Sequence, residues 1–167
     1  MKFSAQEEYG LRCLLQIGRQ GPVGSLTIPE IAAAEGLSVP YVAKLVRILR
    51  QGGFLKSMRG HSGGYALCCS PDQITVGEVL AGLGGRLFDP DYCGRHPGVV
   101  DMCTHTIDCS IRSLWRAVQT GVDQVLSRTT LQGLLRNEEE MASQLVRIGE
   151  PGDGLARPAE PSSLGAV

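Results

Sequence analysis

Hydrophobic positions recur at helical spacing in three consecutive segments of the first half of the chain. The first segment is residues 5–19, where apolar side chains three and four positions apart predict an amphipathic helix. The second segment, residues 28–35, follows Thr27, which matches a capping box with Glu30. The third segment begins after Ser38 and ends at a pair of glycines, so a third helix is predicted there.

Beyond the third helix the pattern changes from helical to extended. Residues 54–58 and 65–69 are short apolar runs on either side of a glycine-rich connection, which predicts a β-hairpin. A short helix is predicted over residues 75–84. Residues 85–109 then show no sustained periodicity and contain prolines and glycines. Irregular segments of this length within a compact chain are usually functional.

Helical spacing returns in the last third of the chain. A long apolar stripe begins after Ser110 and predicts an extended helix. It consists of Ile111, Leu114, Trp115, Val118, Val122, Val125 and Leu126. Thr129 and Gln132 match another capping box, which predicts a final helix ending near Ile148. From Gly149 the chain is rich in Pro, Gly, Ser and Ala, so a disordered tail is expected.

The predicted fold is mainly α with a small β-hairpin wing. Two helices joined at Gly36, with the small Ala32 facing the next helix, match a helix-turn-helix. A hairpin with a basic, glycine-rich tip directly after this motif makes it a winged helix. In such a motif the second helix lies in the major groove of DNA, and an arginine at the tip can enter a minor groove. The candidate DNA-binding residues are Ser38, Tyr41, Lys44, Arg47, Arg59, Gly60, His61 and Gly63.

The charge distribution agrees with a DNA partner for the first half only. The net charge is −1, but residues 1–70 hold eight Lys and Arg against four Asp and Glu, whereas residues 71–167 hold eight against thirteen. The composition, 43% hydrophobic and 20% charged, is typical of a globular protein. Neither an apolar run of about 20 residues nor a secretory signal is present in the sequence. We therefore expect a cytoplasmic protein without a membrane partner.

The six cysteines divide into two groups. Cys13, Cys68 and Cys69 stand among apolar residues, and we expect them to fill small spaces in the core. The other three crowd into one polar segment, and a disulfide framework is not expected in a cytoplasmic chain.

The second group, Cys93, Cys103 and Cys109, falls within 17 residues of the irregular segment. Three thiolates brought together repel one another, and a cation or a cluster relieves that repulsion. Cysteine thiolates are the usual ligands of iron–sulfur clusters. Two alternatives remain open: a zinc site that also uses His96 and His105, or a metal-free thiol redox switch.

The sequence of residues 57–79, SMRGHSGGYALCCSPDQITVGEV, resembles a signature of the IscR/NsrR family of bacterial winged-helix regulators. Further landmarks follow in the same order along residues 1–136. They are Tyr9-Gly10-Leu11-Arg12, Ile31-Ala32, Gly36-Leu37-Ser38, Leu114-Trp115 and Thr130-Leu131.

That resemblance implies a homodimer formed through the long helix, with paired recognition helices that bind a partly palindromic operator. In cluster-binding members three cysteines occupy the same irregular segment. Some members use a histidine three residues after the last cysteine, but here that position is Arg112, which cannot bind a metal. Others use a carboxylate near the start of the first helix that reaches the cluster of the opposite subunit, and Glu8 takes that place. His96 and His105 are local competitors for the fourth position, and the small Ala43 leaves the base preference of the recognition helix open.

The expected organisation is a winged helix-turn-helix DNA-binding domain over residues 1–84, a cluster-binding loop over 85–109, dimerisation helices over 110–148 and a disordered tail over 149–167. The expected function is a transcription regulator, a repressor by family resemblance. A 2Fe-2S or 4Fe-4S cluster would control its DNA affinity in response to redox state, nitric oxide, oxygen or iron–sulfur status. An enzyme is not expected, because the sequence has neither a Cys-x-x-Cys motif nor a phosphate-binding glycine loop. A pure protein-interaction module is the remaining alternative, which DNA-binding assays would test.

Overall fold

A computed structural model describes residues 4–60, 63–84 and 109–149. In these ranges the chain is mainly helical with a two-stranded antiparallel hairpin, as the sequence predicts. Most of the predicted cluster loop lies outside the described residues, as does the predicted tail beyond Gly149. The elements are α1 (Ala5–Gly18), α2 (Ile28–Glu35), α3 (Val39–Gln51), β1 (Leu55–Met58), β2 (Gly64–Leu67), a 3-10 turn (Pro71–Gln73), α4 (Val76–Leu83), α5 (Ser110–Arg128), α6 (Leu131–Leu134) and α7 (Glu138–Gly149).

Local capping explains where three of these helices begin. α1, α2 and α4 each start with a capping box, formed by Ser4 with Glu7, by Thr27 with Glu30 and by Thr75 with Glu78. At α1, the Glu7 amide donates to Ser4 Oγ over 3.2 Å and the Ser4 amide donates to Glu7 Oε2 over 2.6 Å. Each box satisfies two backbone groups that the helix itself leaves without a partner, so these starts are encoded locally.

The turn between α2 and α3 has the geometry that the sequence predicts. Gly36 adopts φ +66° and ψ +32°, a left-handed conformation that favours glycine. The Leu37 amide donates to the Ala32 carbonyl over 3.0 Å and closes the helix end. Ala32 is buried, which lets the helices approach closely.

The core forms where the apolar faces of α1 and α3 meet. Cys13, Leu14, Ile17, Val42, Leu45, Val46 and Leu49 are buried there, and α2, β1 and α4 close the cluster with Ile31, Leu55, Val79 and Leu83. The expectation that Cys13 belongs to the core is confirmed. Burial raises the pKa of the Cys13 thiol to about 11, which keeps it protonated and unreactive at neutral pH.

The expectation that Cys68 and Cys69 fill the core is wrong, because both are exposed. β2 ends at Leu67 rather than at residue 69, and the chain bends before the 3-10 turn that begins at Pro71. The alternation that buries Ala66 therefore does not continue to these two side chains.

The wing is held to the helices by a contact that the sequence analysis did not predict. β1 pairs with β2 from Leu55↔Leu67 to Met58↔Gly64. Leu26, just before α2, adds a bridge to Tyr65, with N–H···O distances of 3.1 and 2.8 Å. The wing therefore has a third strand-like partner, which fixes its base against the helix-turn-helix.

A second bridge fixes the end of α5. Thr75 pairs with Thr130, and the Leu131 amide donates to the Ile74 carbonyl over 2.8 Å. The residue that caps α6 is Thr130, whose hydroxyl accepts from the Gly133 amide, so the predicted cap at Thr129 is wrong. The Thr129 hydroxyl instead donates to the Val125 carbonyl over 2.8 Å.

The single final helix predicted as far as Ile148 is divided in two. α6 ends at Leu134, and the Asn137 side chain accepts from the Glu140 amide over 2.8 Å at the start of α7. Asparagine competes with helical hydrogen bonding in this way and favours a new helix start. Among the described helices, none combines the length and apolar character needed to cross a bilayer.

Candidate nucleic-acid interface

α3 presents a basic line opposite its buried face. Val42, Leu45, Val46 and Leu49 point into the core. Lys44 and Arg47 are exposed on the other side, as the sequence predicts for a recognition helix. Arg50, which the sequence analysis did not select, is also exposed and continues the same three-residue spacing. That spacing was the signal that could have identified it.

The N-terminal end of α3 carries Ser38 in an exposed position. Ser38 has the extended backbone of an N-cap, and its carbonyl accepts from the amides of Tyr41 and Val42 at 3.1 Å. Within the described part of the chain, its hydroxyl makes no capping hydrogen bond. The exposed Ser38 hydroxyl therefore lies at a helix N-terminus, the end of a helix that attracts anions.

Tyr41 is half-buried, since one edge of its side chain is held by α1. Its ring lies edge-on to the ring of Tyr9, with 6.1 Å between centroids. The Arg12 guanidinium lies 5.4 Å from the centroid of Tyr9. Arg12 Nε also contacts Glu35 Oε2 at 2.6 Å. The side-chain amide of Gln16 donates from Nε2 to Glu35 Oε1 over 2.6 Å. These contacts join α1, the end of α2 and the start of α3.

The wing tip carries Arg59 in an exposed position next to Gly60. Gly60 adopts φ +114°, a conformation that L side chains rarely adopt. The Gly63 amide donates to the Gly60 carbonyl over 2.9 Å, a hydrogen bond that closes the turn at the tip. His61, the remaining candidate in the wing, lies outside the described residues.

Cys109 is the described member of the cysteine group and caps α5. The Arg112 amide donates to Cys109 Sγ over 3.4 Å, and the thiol is half-buried. Cys93, Cys103, His96 and His105 lie outside the described residues. Across residues 4–60, 63–84 and 109–149, no group of three or more His, Cys, Asp or Glu side chains is placed to hold a metal ion.

Glu8 and its neighbour Glu7 have different environments on the first turn of α1. Glu7 is buried by its capping box, whereas Glu8 is exposed. The segment that carries Cys93 and Cys103 leaves α4 at this same corner. A Cβ added to Gly84 would lie 2.5 Å from Glu7 Oε1, and the Gln6 side chain donates to the Leu83 carbonyl. The C-terminal end of α4, at Leu83 and Gly84, therefore lies beside the turn that carries Glu8.

The far end of the same segment joins α5 at Cys109, away from the contact of α5 with α4. Gly77 of α4 packs against Leu126 near the C-terminal end of α5. At a rise of 1.5 Å per residue, Ser110 is about 24 Å from Leu126 along the helix. Toward the N-terminal end of α5, Ile111 and Leu114 are 58% and 55% exposed.

A helix-turn-helix with a basic outer face, followed at once by a hairpin with a basic tip, is the architecture of winged-helix DNA-binding regulators. Residues 3–137 match the Rrf2 family, described as an iron-dependent transcriptional regulator. The chain therefore belongs to the Rrf2 family of winged-helix transcriptional regulators.

Several relatives agree with this assignment. Protein rrf2 of Nitratidesulfovibrio vulgaris is 32% identical over 137 residues, which span 82% of this chain and 89% of that protein. The structure of CymR, the global cysteine regulator of B. subtilis, has a TM-score of 0.62 and 29% identity, covering 81% of this chain and 96% of that one. The structure of T. potens IscR has a TM-score of 0.63 and 26% identity, covering 92% and 94%. The resemblance to IscR-type regulators is confirmed. The family and CymR of Bacillus subtilis are named as transcriptional regulators rather than enzymes.

Proposed function

We propose that this chain is a homodimeric repressor that binds a double-stranded DNA operator and whose DNA affinity is set by an iron–sulfur cluster. The observation that carries the DNA-binding part is the exposed line of Lys44, Arg47 and Arg50 opposite the buried face of α3. A target on bacterial DNA places this activity in the cytoplasm.

In the proposed complex, α3 lies in the major groove. Ser38 and Tyr41 contact phosphates at the start of the helix, and Lys44 and Arg47 reach phosphates or guanine edges. The wing enters the adjacent minor groove with Arg59, while Gly60, His61 and Gly63 form the tip. Glycines at this position allow the backbone to approach the DNA closely.

The apolar face of α5 supports the homodimer. Ile111 and Leu114 share one face and remain exposed in the described part of the single chain. Burying such side chains contributes about 1.5–3 kcal/mol each, so this stripe favours association. A second copy of α5 is the proposed occupant, since the same stripe on both subunits is self-complementary about a twofold axis.

The residues around the cysteine segment fit a cluster held between subunits. Cys109 already accepts a backbone N–H at Sγ, and hydrogen bonds of this kind tune cluster sulfurs. Glu8 is exposed, unlike Glu7, and is therefore able to act as a ligand. Cys93 and Cys103 complete the proposed set. A bound cluster would supply iron that reacts with oxygen or nitric oxide and that can take up or release an electron.

The proposed regulation works through the position of the two recognition helices. Residues 86–109 join α4 to α5, and ligation by their cysteines would hold that segment in one conformation. The first turn of α1 and the start of α5 would then be fixed relative to each other. Because α1 contacts α3 through Tyr9, this would set the separation of the two α3 helices.

The experiment compares anaerobically purified protein with the same protein after removal of iron by a chelator. A visible absorption spectrum, an electron paramagnetic resonance spectrum and assays of iron and acid-labile sulfide identify the cofactor. Duplexes selected from a random DNA library then serve as probes for fluorescence anisotropy. We expect the two forms to differ at least about tenfold in Kd, which corresponds to about 1.4 kcal/mol.

Variants separate the cluster ligands from the other cysteines. Cys93→Ala, Cys103→Ala and Cys109→Ala should lose the absorption, Glu8→Ala should weaken it, and Cys68→Ser should retain it as the matched control. Stoichiometric zinc without sulfide would instead establish the zinc alternative, and a colourless protein with a reversible disulfide would establish the thiol switch. Equal DNA affinity with and without the cluster would exclude the proposed regulation while leaving DNA binding in place.

A further inference from the structure

Two consecutive cysteines stand outside the proposed cluster site and outside the core. Cys68 and Cys69 directly follow β2, and both are free thiols with exposed side chains. Cys13, in contrast, is fully buried. Neither the packing of the fold nor the proposed cluster uses this pair.

The backbone at Cys68 is held by the base of the wing. The Cys68 amide donates to the Phe54 carbonyl over 3.0 Å, next to the Leu55↔Leu67 pair at the base of the wing. The 3-10 turn begins at Pro71, two residues after Cys69. Cys68 is thus anchored to the base of the wing and the adjacent Cys69 is also exposed, so a ligand that binds both sulfurs orders little additional backbone.

The surroundings of Cys69 favour its neutral thiol. Partial desolvation raises the pKa of the Cys69 thiol, and the charges of Cys68, Glu78 and Asp72 raise it further. A smaller thiolate fraction at Cys69 slows its attack on an oxidant or alkylating agent without preventing it. An electrophile that bonds to both sulfurs and that also reacts with protonated thiols suits this site better than one that requires two thiolates.

We propose that Cys68 and Cys69 form a dithiol site for a thiol-seeking trivalent arsenical at the base of the wing. With phenylarsine oxide as the probe, the arsenic forms two As–S bonds, one to each Sγ. The oxygen of the reagent leaves as water with the two thiol protons. The oxidation states of arsenic and sulfur do not change, so no further reactant is required.

Trypsin releases Cys68 and Cys69 in a peptide that contains no other cysteine, so labelling of that peptide reports on this pair alone. Cleavage after Arg59 and Arg86 releases residues 60–86, whose two cysteines are Cys68 and Cys69. The folded full-length protein is treated with one equivalent of phenylarsine oxide and then with N-ethylmaleimide. We expect both thiols of this peptide to be protected from the maleimide. Protection should be reversed by 2,3-dimercaptopropanol and should withstand an excess of a monothiol, because two sulfurs hold the arsenic.

Single variants distinguish a two-sulfur site from ordinary thiol labelling. In Cys68→Ser and in Cys69→Ser the remaining thiol should lose its protection when the monothiol is added. A chain with Cys93, Cys103 and Cys109 all changed to Ala removes the competing thiols and should still take up one arsenic in residues 60–86. Unprotected Cys68 and Cys69 in that chain, or protection that a monothiol reverses in the wild type, would overturn the proposal. These measurements involve neither DNA nor iron, so they are independent of the proposed function.

Discussion

The ring of Tyr9 on α1 meets the ring of Tyr41 on α3 at an interplanar angle of 83°, edge to face. Tyr9 directly follows Glu8, the proposed cluster ligand, and Tyr41 lies on the first turn of the proposed recognition helix. One aromatic contact thus connects the two sites on which the proposed regulation depends. Arg12 lies over the ring of Tyr9 and forms an ion pair with Glu35.

Tyr9→Leu should lower both stability and DNA affinity. Edge-to-face aromatic pairs contribute about 0.5–1.5 kcal/mol beyond their burial, so we expect a loss of that size in urea denaturation. DNA affinity should fall a few-fold, because the start of α3 loses its support. Tyr9→Phe keeps the ring and should restore both values. Equal behaviour of the Leu and Phe variants would show that the ring contact does not position α3.

Lys44→Ala and Arg47→Ala should each reduce the salt dependence of binding to a duplex of random sequence. Each lost phosphate contact should lower the slope of log K against log salt concentration by about 0.9. Arg136→Ala, an exposed arginine in the C-terminal part of the chain, is the matched control and should leave the slope unchanged. An unchanged slope in the two α3 variants would place the DNA interface on another surface.

Leu114→Glu should convert the proposed dimer into a monomer. A charge placed on the apolar face of α5 would have to be buried without a partner when two copies associate, which is costly. Light scattering coupled to size-exclusion chromatography measures the mass, and circular dichroism checks that the helices remain. Val23→Glu is the control, because Val23 is 90% exposed and lies in the loop after α1. A dimeric Leu114→Glu protein would exclude this face as the interface.

Gly64→Ala and Gly121→Ala should change stability in opposite directions. Gly64 has φ +154°, and an added Cβ would lie 2.6 Å from the backbone oxygen of Leu26, so we expect a loss of about 1–3 kcal/mol. Gly121 lies within α5 with nothing within 4 Å of an added Cβ. Alanine there should stabilise the helix by about 0.5–1 kcal/mol. Urea denaturation checks both values, and a neutral Gly64→Ala would contradict the close approach of the wing to Leu26.

Local signals made much of this fold predictable. α2 has the predicted bounds and α1 ends one residue early, since Thr27, Glu30 and Gly36 act on their own backbone neighbours. The apolar positions of α3 also predicted which side of the helix is buried, and so which side carries the basic residues. Lys44 and Arg47 were found because helical periodicity fixes the direction of each side chain relative to the core.

Features that depend on distant parts of the chain were missed. The bridge from Leu26 to Tyr65 joins segments about forty residues apart, and no local pattern encodes it. Thr129 and Thr130 both suit an N-cap, and the pairing with Thr75 decides between them. Cys68 and Cys69 continue an apolar run, but β2 ends at Leu67, opposite Leu55, the first residue of β1. Side-chain type alone could not reveal their exposure.

The pairing of Thr75 with Thr130 holds the C-terminal end of α5 against the start of α4. Hydrogen bonds from Val76 to Thr129 and from Leu131 to Ile74 fasten its C-terminal end to the start of α4. The helix has 19 residues and is therefore about 28 Å long. A tilt of about 5° about this end would move Cys109 by about 2.5 Å. A small change of orientation at the C-terminal end of α5 thereby becomes a larger displacement of the Cys109 thiol.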